Sequence, residues 1–156
     1  MIESMETVKD AIKKAAQTLG LSQEEFAPVP EHESVKLYQK LRQRFCTSPE
    51  AYWWWESFRE EHSSLYFENG KGFLKLIEIC PDPEEKVWFV AESSILPSFP
   101  VYQGTVEAIQ KVIGECHPFE YYLINKDYRW LVCENHHDLV FAVGSPVKER
   151  LEQLEP

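Results

Sequence analysis

The stretch of residues 117–144 constrains the fold of this chain more than any other part of the sequence. It contains three short apolar segments separated by two polar turns, a pattern that predicts β-strands over residues 119–125, 128–134 and 139–143. Consecutive strands joined by turns this short pair antiparallel. The stretch therefore predicts a three-stranded meander towards the C-terminal end of the sequence.

Helical patterns dominate the sequence before this meander. Apolar side chains recur at three- and four-residue steps from Ile2 to Leu19, and Gly20 is a typical C-terminal stop, so we expect a first helix that ends there. A second helix is expected over about residues 33–45, where Leu37 and its neighbours repeat with helical spacing. The N-terminal part is therefore predicted to be helical.

Three consecutive tryptophans, Trp53, Trp54 and Trp55, follow a serine–proline pair at Ser48 that is typical of a helix start. We expect this helix to extend to Phe58. At roughly 100° per residue, the three indoles cover about two thirds of the helix circumference. Either the helix is buried on several sides, or one tryptophan faces a binding partner.

The central part of the sequence predicts both strands and helices. An apolar run at residues 87–91 is typical of a central strand, and residues 64–67 predict a short edge strand. The remaining predicted elements are a helix over residues 73–80 with Phe73, Leu74 and Ile77 facing inward, a brief strand or turn at residues 101–103, and helices that begin at Thr105 and at Ser145.

The order of these elements predicts an α+β fold. We expect an antiparallel or mixed sheet of about 4–5 strands that ends in the meander and is covered by helices. The chain has 156 residues and no linker long enough to divide it. A single domain over residues 1–156 is therefore expected, in which N-terminal helices within residues 1–47 pack on an α+β core of residues 48–156.

The charge of the chain limits its partners. The net charge is −10; residues 1–78 carry 10 basic and 13 acidic side chains, and residues 79–156 carry 6 and 13. Such a field repels phosphate backbones and attracts basic proteins, so we expect no nucleic-acid partner. No apolar run is long enough to cross a membrane, and the first residues lack a signal-peptide pattern, which predicts a cytoplasmic protein.

The turn that follows the second predicted strand of the meander holds the densest cluster of possible ligands. Cys133 and His136 have the spacing of a metal half-site, and Glu134 and Asp138 add oxygen atoms. A zinc site needs three or four converging ligands, the sequence offers no second half-site, and adjacent histidines in a hairpin usually diverge. We therefore predict no metal or cofactor, and expect a polar turn in which Asn135 and Asp138 hydrogen-bond the backbone.

An enzyme centred on the same turn is the alternative interpretation. A Cys133 thiolate beside a histidine base is a known arrangement for nucleophilic catalysis. However, Cys133 lies within a predicted strand, and no glycine-rich elbow accompanies it. We therefore assign no catalytic residue. The alternative remains a small metal-dependent or Cys/His-dependent enzyme built on Cys133, Glu134, His136, His137 and Asp138.

Four sequence features stand out together: Trp53-Trp54-Trp55-x-x-Phe58, Phe119-Glu120-Tyr121-Tyr122, Trp130-Leu131-x-Cys133-Glu134-Asn135-His136-His137-Asp138, and Gly144 after the last predicted strand. These motifs resemble an uncharacterised bacterial domain family of unknown function. The resemblance covers about residues 50–147 and implies no activity. In type, though not in motif, the chain is also similar to small acidic immunity proteins, which neutralise toxins.

The function predicted from the sequence is that of a non-enzymatic protein-binding module, such as an immunity protein that neutralises a basic toxin. Carboxylates would steer the partner, and an exposed aromatic side chain would supply affinity. Besides the enzyme, a second alternative is an acidic mimic of nucleic acid, whose carboxylates would imitate phosphates. The predicted binding residues are Trp53, Trp55, His136, His137 and Asp138.

Overall fold

The structure, a computed structural model, describes residues 6–48, 53–93 and 99–154. Within these ranges the chain forms five α-helices and seven β-strands. In chain order they are α1 (Val8–Leu19), β1 (Phe26–Pro28), α2 (Glu31–Phe45), β2 (His62–Tyr66), α3 (Leu76–Ile79), β3 (Lys86–Ala91), β4 (Val101–Thr105), α4 (Val106–Gly114), β5 (Tyr121–Asn125), β6 (Leu131–Glu134), β7 (Leu139–Val143) and α5 (Val147–Glu152).

The strands form one antiparallel sheet in the order β1-β4-β3-β5-β6-β7-β2. The α+β prediction is confirmed, as are the meander β5–β6–β7 and the edge position of β2. The sheet has more strands than the predicted four or five, because β1 was missed and β4 was predicted only as a strand or turn. β1 is three residues long and ends in a proline, which hides a strand from pattern analysis.

Helices cover both faces of the sheet. On one face, α1, α3, α4 and α5 pack against side chains that include Phe89, Leu123 and Val132. On the other face, α2 and the segment around Trp54 pack against side chains that include Tyr122. All five residues of β5 are buried, as expected for a strand with a helical layer on each side.

The predicted N-terminal helices are confirmed, with local hydrogen bonds that fix their ends. The Thr7 and Asp10 side chains each accept a backbone N–H from the other residue at the start of α1, and Gly20 ends it with a left-handed φ of 65°. Ile2 lies outside the described residues. The N-terminal part is not purely helical, because β1 forms one edge of the sheet.

The helix predicted from Ser48 to Phe58 is wrong in the part that the structure describes. Residues 49–52 lie outside that part, and Trp54–Glu56 form a single 3₁₀ turn. Trp53 is extended, and Phe58 forms a β-bridge with Cys46. The reason is tertiary packing: Trp54 is fully buried and stacks on Tyr122, and a continuous helix is not needed to place it there.

The helix predicted over residues 73–80 is reduced to α3. Residues 68–75 form a 3₁₀ segment interrupted by left-handed residues at 69 and 70. Because 3₁₀ geometry continues to Lys75 before α3 begins, the α-helical spacing assumed over residues 73–80 does not apply. Leu74 and Ile77 are 49% and 42% exposed instead of facing inward. Leu76 and Ile79 are buried in their place. In the described ranges, no helix has the length and apolar character needed to cross a membrane.

Candidate functional site

A buried carboxylate connects two segments that are far apart in the sequence. Glu120 immediately precedes β5, and its side chain is only 1% exposed. Its Oε1 atom accepts a hydrogen bond from Trp55 Nε1 at 3.2 Å and one from the His136 backbone N–H at 3.0 Å. The same oxygen lies 2.5 Å from His136 Nδ1. Glu120 therefore holds the Trp55 segment against the turn that follows β6.

Four aromatic rings gather around this carboxylate, and we call Trp53, Trp55, His136 and His137 the Trp–His surface. The two tryptophan rings stack with centroids 5.8 Å apart, and Trp53 lies 5.2 Å from His136. Trp55 lies 5.9 Å from His136 and 5.8 Å from His137. The histidines are exposed and the tryptophans are half-buried, so all four rings remain accessible to a partner.

The turn itself is shaped by Asn135. Its Oδ1 atom accepts backbone N–H groups from His137 at 2.9 Å and Leu139 at 3.1 Å, which confirms the predicted side-chain-to-backbone bonding for Asn135. Asp138 has a left-handed φ of 62° and donates its backbone N–H to the Asn135 carbonyl oxygen. The expectation that the adjacent histidines diverge is wrong, since their ring centroids are 4.1 Å apart. The Glu120 bond to His136 and the Trp55 contact with both rings hold them together.

The structure thus brings together four of the five predicted binding residues. Asp138, the fifth, is half-buried on the far side of the turn, beside Gly70. Glu120 was not predicted as a site residue. The signal that could have identified it is a carboxylate inside an aromatic run, Phe119-Glu120-Tyr121, because a charged side chain at the start of a buried strand needs a specific partner.

Behind the turn lies a cavity of about 200 Å³, between the start of β5, the end of β6 and the C-terminal end of α4. Glu134 forms part of its wall and is buried, with Oε1 accepting from the Tyr121 hydroxyl at 2.7 Å and Oε2 from the Gly72 N–H at 3.1 Å. Burial raises the pKa of Glu134, and these two hydrogen bonds oppose the shift. We call this space the Glu120 cavity, because Glu120 also lines it.

The half-site spacing of Cys133 does not produce a metal site. Cys133 is fully buried in the sheet core with Leu131 and Phe141, whereas His136 is exposed on the turn. Among the described residues, no three histidine, cysteine, aspartate or glutamate side chains group in a way that could hold a metal ion. Burial also raises the pKa of the Cys133 thiol well above its usual value, which disfavours the thiolate.

One face assignment in the second strand of the meander is wrong. Within the strand predicted over residues 128–134, side-chain alternation places Tyr128 on the same face as Trp130, Val132 and Glu134. In the structure β6 starts only at Leu131, and Tyr128 has a left-handed φ of 58° within the preceding turn. The turn therefore places Tyr128 on the opposite face, near Lys40 of α2.

Comparison with known proteins identifies the family of the chain without assigning an activity. No curated protein and no solved structure matches it. A family model does match, and it covers the motifs at residues 53–58, 119–122 and 130–138 together with the N-terminal helices. The chain therefore belongs to DUF6756, a family of unknown function whose model matches residues 4–155.

Proposed function

We propose that the chain is a non-catalytic protein-binding module that recognises a basic partner through the Trp–His surface, and that it acts as an immunity protein which neutralises a toxin in the cytoplasm. The proposal is based on one observation. Rings from two segments some 80 positions apart in the sequence converge on the buried Glu120 carboxylate and still remain partly exposed. A surface of this kind has the composition of an interface hot spot.

The tryptophans are held in place before any partner binds. Trp55 donates its Nε1–H to Glu120 and stacks on Phe141 with centroids 6.1 Å apart. Trp53 in turn stacks on Trp55. Because these side chains have little rotamer freedom left to lose, binding through them costs less conformational entropy than binding through mobile side chains.

The charge around the Trp–His surface favours a basic partner. Glu92 and Glu120 line a shallow depression of about 430 Å³ together with Trp53 and His136. Indole faces attract lysine and arginine side chains, and nearby carboxylates strengthen that attraction. The excess of acidic side chains in residues 79–156 would also speed the approach of a basic protein.

The enzyme alternative receives no comparable support. Its Cys/His-dependent form needs a reactive Cys133, and that thiol is buried among apolar side chains with a raised pKa. Thiolate chemistry requires the opposite, an accessible cysteine in an electropositive environment. The metal-dependent form needs a ligand set, and the described residues contain no group of three histidine, cysteine, aspartate or glutamate side chains that could hold a metal ion. The binding interpretation needs only the exposed side chains that the Trp–His surface presents.

The proposal is tested by identifying a partner and then measuring its affinity. Affinity capture with the intact chain supplies the candidate, which is purified and titrated by calorimetry. We expect a basic partner whose affinity falls as salt increases. The Trp53→Ala variant is expected to weaken binding at least tenfold, which corresponds to about 1.4 kcal/mol.

Trp88→Ala is the matched control. Trp88 is also half-buried, but it pairs with Ile124, at the other end of β5 from Glu120. Its removal should change the affinity less than about twofold, since it lies outside the Trp–His surface. An acidic partner, or a Trp53→Ala variant that binds as tightly as the wild type, would overturn the proposal.

A further inference from the structure

Glu120, which lines the Glu120 cavity, has one acceptor atom without a partner. Oε1 of Glu120 receives the hydrogen bonds from Trp55 and His136. Oε2 is buried and has no hydrogen-bond partner among the described residues. A buried carboxylate oxygen without a hydrogen-bond donor lowers the stability of the folded protein. A bound molecule that donates a hydrogen bond to Oε2 would remove this loss.

Asn135, which lines the same cavity, has one donor group without a partner. Oδ1 of Asn135 accepts two backbone N–H groups, from His137 and Leu139, and this fixes the orientation of the amide. The Nδ2 group is therefore the donor, and it too is buried without a partner in the described parts of the chain. Asn135 is only 4% exposed and lines the cavity with Glu120.

The electrostatics of the cavity favour a cation. Glu134 and Asp138 line it as well, and His136 is the only basic side chain among its described lining residues. Gly114, the last residue of α4, is also in its wall, and the C-terminal end of a helix carries partial negative charge. At about 200 Å³ the cavity is smaller than the roughly 300–1,000 Å³ of drug-sized sites, so its ligand must be compact.

We propose that the Glu120 cavity binds a small organic ammonium ion that carries a neighbouring carbonyl oxygen, as in an α-amino amide. The ammonium group donates to Glu120 Oε2, and the carbonyl oxygen accepts from Asn135 Nδ2. A free amino-acid amide and the N-terminus of a peptide share this chemistry. The site goes beyond the proposed protein binding, since its ligand bonds the buried side chains of Glu120 and Asn135 and not the exposed rings of Trp53 and Trp55.

The indole resonance of Trp55 provides the assay, because its Nε1–H bonds the same carboxylate. Two-dimensional NMR spectra of the intact protein are recorded while glycinamide, ethylammonium or acetamide is added. We expect glycinamide to shift the Trp55 signal at the lowest concentration. Ethylammonium should need a concentration at least tenfold higher for the same shift, and acetamide should cause no shift. The Trp88 indole serves as the internal reference and should not move.

Two variants test the assigned atoms. Glu120→Gln retains the Oε1 acceptor and removes the charge, so glycinamide affinity should fall at least tenfold. Asn135→Asp retains the two backbone bonds to Oδ1 and replaces the donor with a second carboxylate oxygen. It should bind ethylammonium more tightly than wild type and lose the preference for glycinamide. A thermal melt shows whether Glu120→Gln is folded. If it is not, Asn135→Asp alone tests the proposed site.

Two further probes separate the possible sources of the ligand. Triglycine with a free N-terminus and its acetylated form are titrated in the same way. Binding of glycinamide and of the free peptide, but not of the acetylated peptide, supports a peptide N-terminus as the ligand. Binding of glycinamide but of neither peptide supports a free amine. The inference is overturned if glycinamide binds more weakly than about 10 mM, or if acetamide binds equally well. Trp53→Ala should leave glycinamide binding intact, which keeps this result separate from the partner-binding test.

Discussion

Replacing each of the three consecutive tryptophans by alanine should separate folding from binding. Trp54 is fully buried, stacks on Tyr122 with centroids 4.5 Å apart, and donates its backbone N–H to the Tyr122 hydroxyl. Removing a buried tryptophan costs about 3–5 kcal/mol. For a chain of this size, a loss of 4 kcal/mol corresponds to a decrease in Tm of about 8–16 °C.

The two neighbouring substitutions should cost much less. Trp55→Ala loses one hydrogen bond to Glu120 and part of its packing, for which we expect about 1–2 kcal/mol. Trp53→Ala should cost below about 1 kcal/mol, because its ring is half-buried at the surface. Urea unfolding followed by far-UV circular dichroism gives the free energy of unfolding of all three variants without relying on indole fluorescence. Equal losses for Trp53→Ala and Trp54→Ala would refute the division between core and surface.

Three further predictions concern the residues around the cavity and the cysteines. Gly72→Ala places a Cβ atom 2.5 Å from Val140 Cγ2 and should destabilise the protein by about 1–3 kcal/mol in urea unfolding; an unchanged midpoint would contradict the close packing. Because the pKa of Glu134 is raised in the folded protein, its contribution to stability is present at low pH and is lost as pH rises through the folded pKa. Glu134→Gln should therefore lose less stability than wild type between acidic and neutral pH, and parallel pH profiles would contradict this. A thiol reagent should modify the half-buried Cys116 before the buried Cys133 in the native protein, whereas faster reaction of Cys133 would support the enzyme alternative.

Local patterns were sufficient to predict most of the fold. The alternation and turns of residues 117–144 define the meander, and Thr105, whose side chain accepts the Ala108 N–H at 3.1 Å, marks the start of α4 as predicted. These features depend on interactions between residues that are close in the sequence. The predictions that failed depend on distant contacts. Trp54 packs on Tyr122 of the sheet, and the Gly72 N–H bonds Glu134. Neither contact leaves a periodic signal in the sequence.

The sequence predicted only part of the candidate site, because the contacts that join its segments are made between residues far apart in the chain. The tryptophans and the histidines were each identifiable as unusual clusters, and residue type alone suggested binding. What the sequence could not reveal is that Glu120 joins them, because a single carboxylate at the start of a strand resembles any solvent-exposed one until its neighbours are known. The cavity is likewise formed by segments separated by about 60 residues along the chain, those of Gly70 and Glu134.

A cross-saturation NMR experiment on the complex with the basic partner tests most directly whether the Trp–His surface is the binding site. Saturation transferred from the unlabelled partner should reduce the indole N–H signals of Trp53 and Trp55 and the backbone signals of His136 and His137 most strongly. The Trp88 indole should keep its intensity. If the strongest losses fall instead on the exposed lysines of α2 (Lys36 and Lys40), the Trp–His surface is not the binding site and the central claim is wrong.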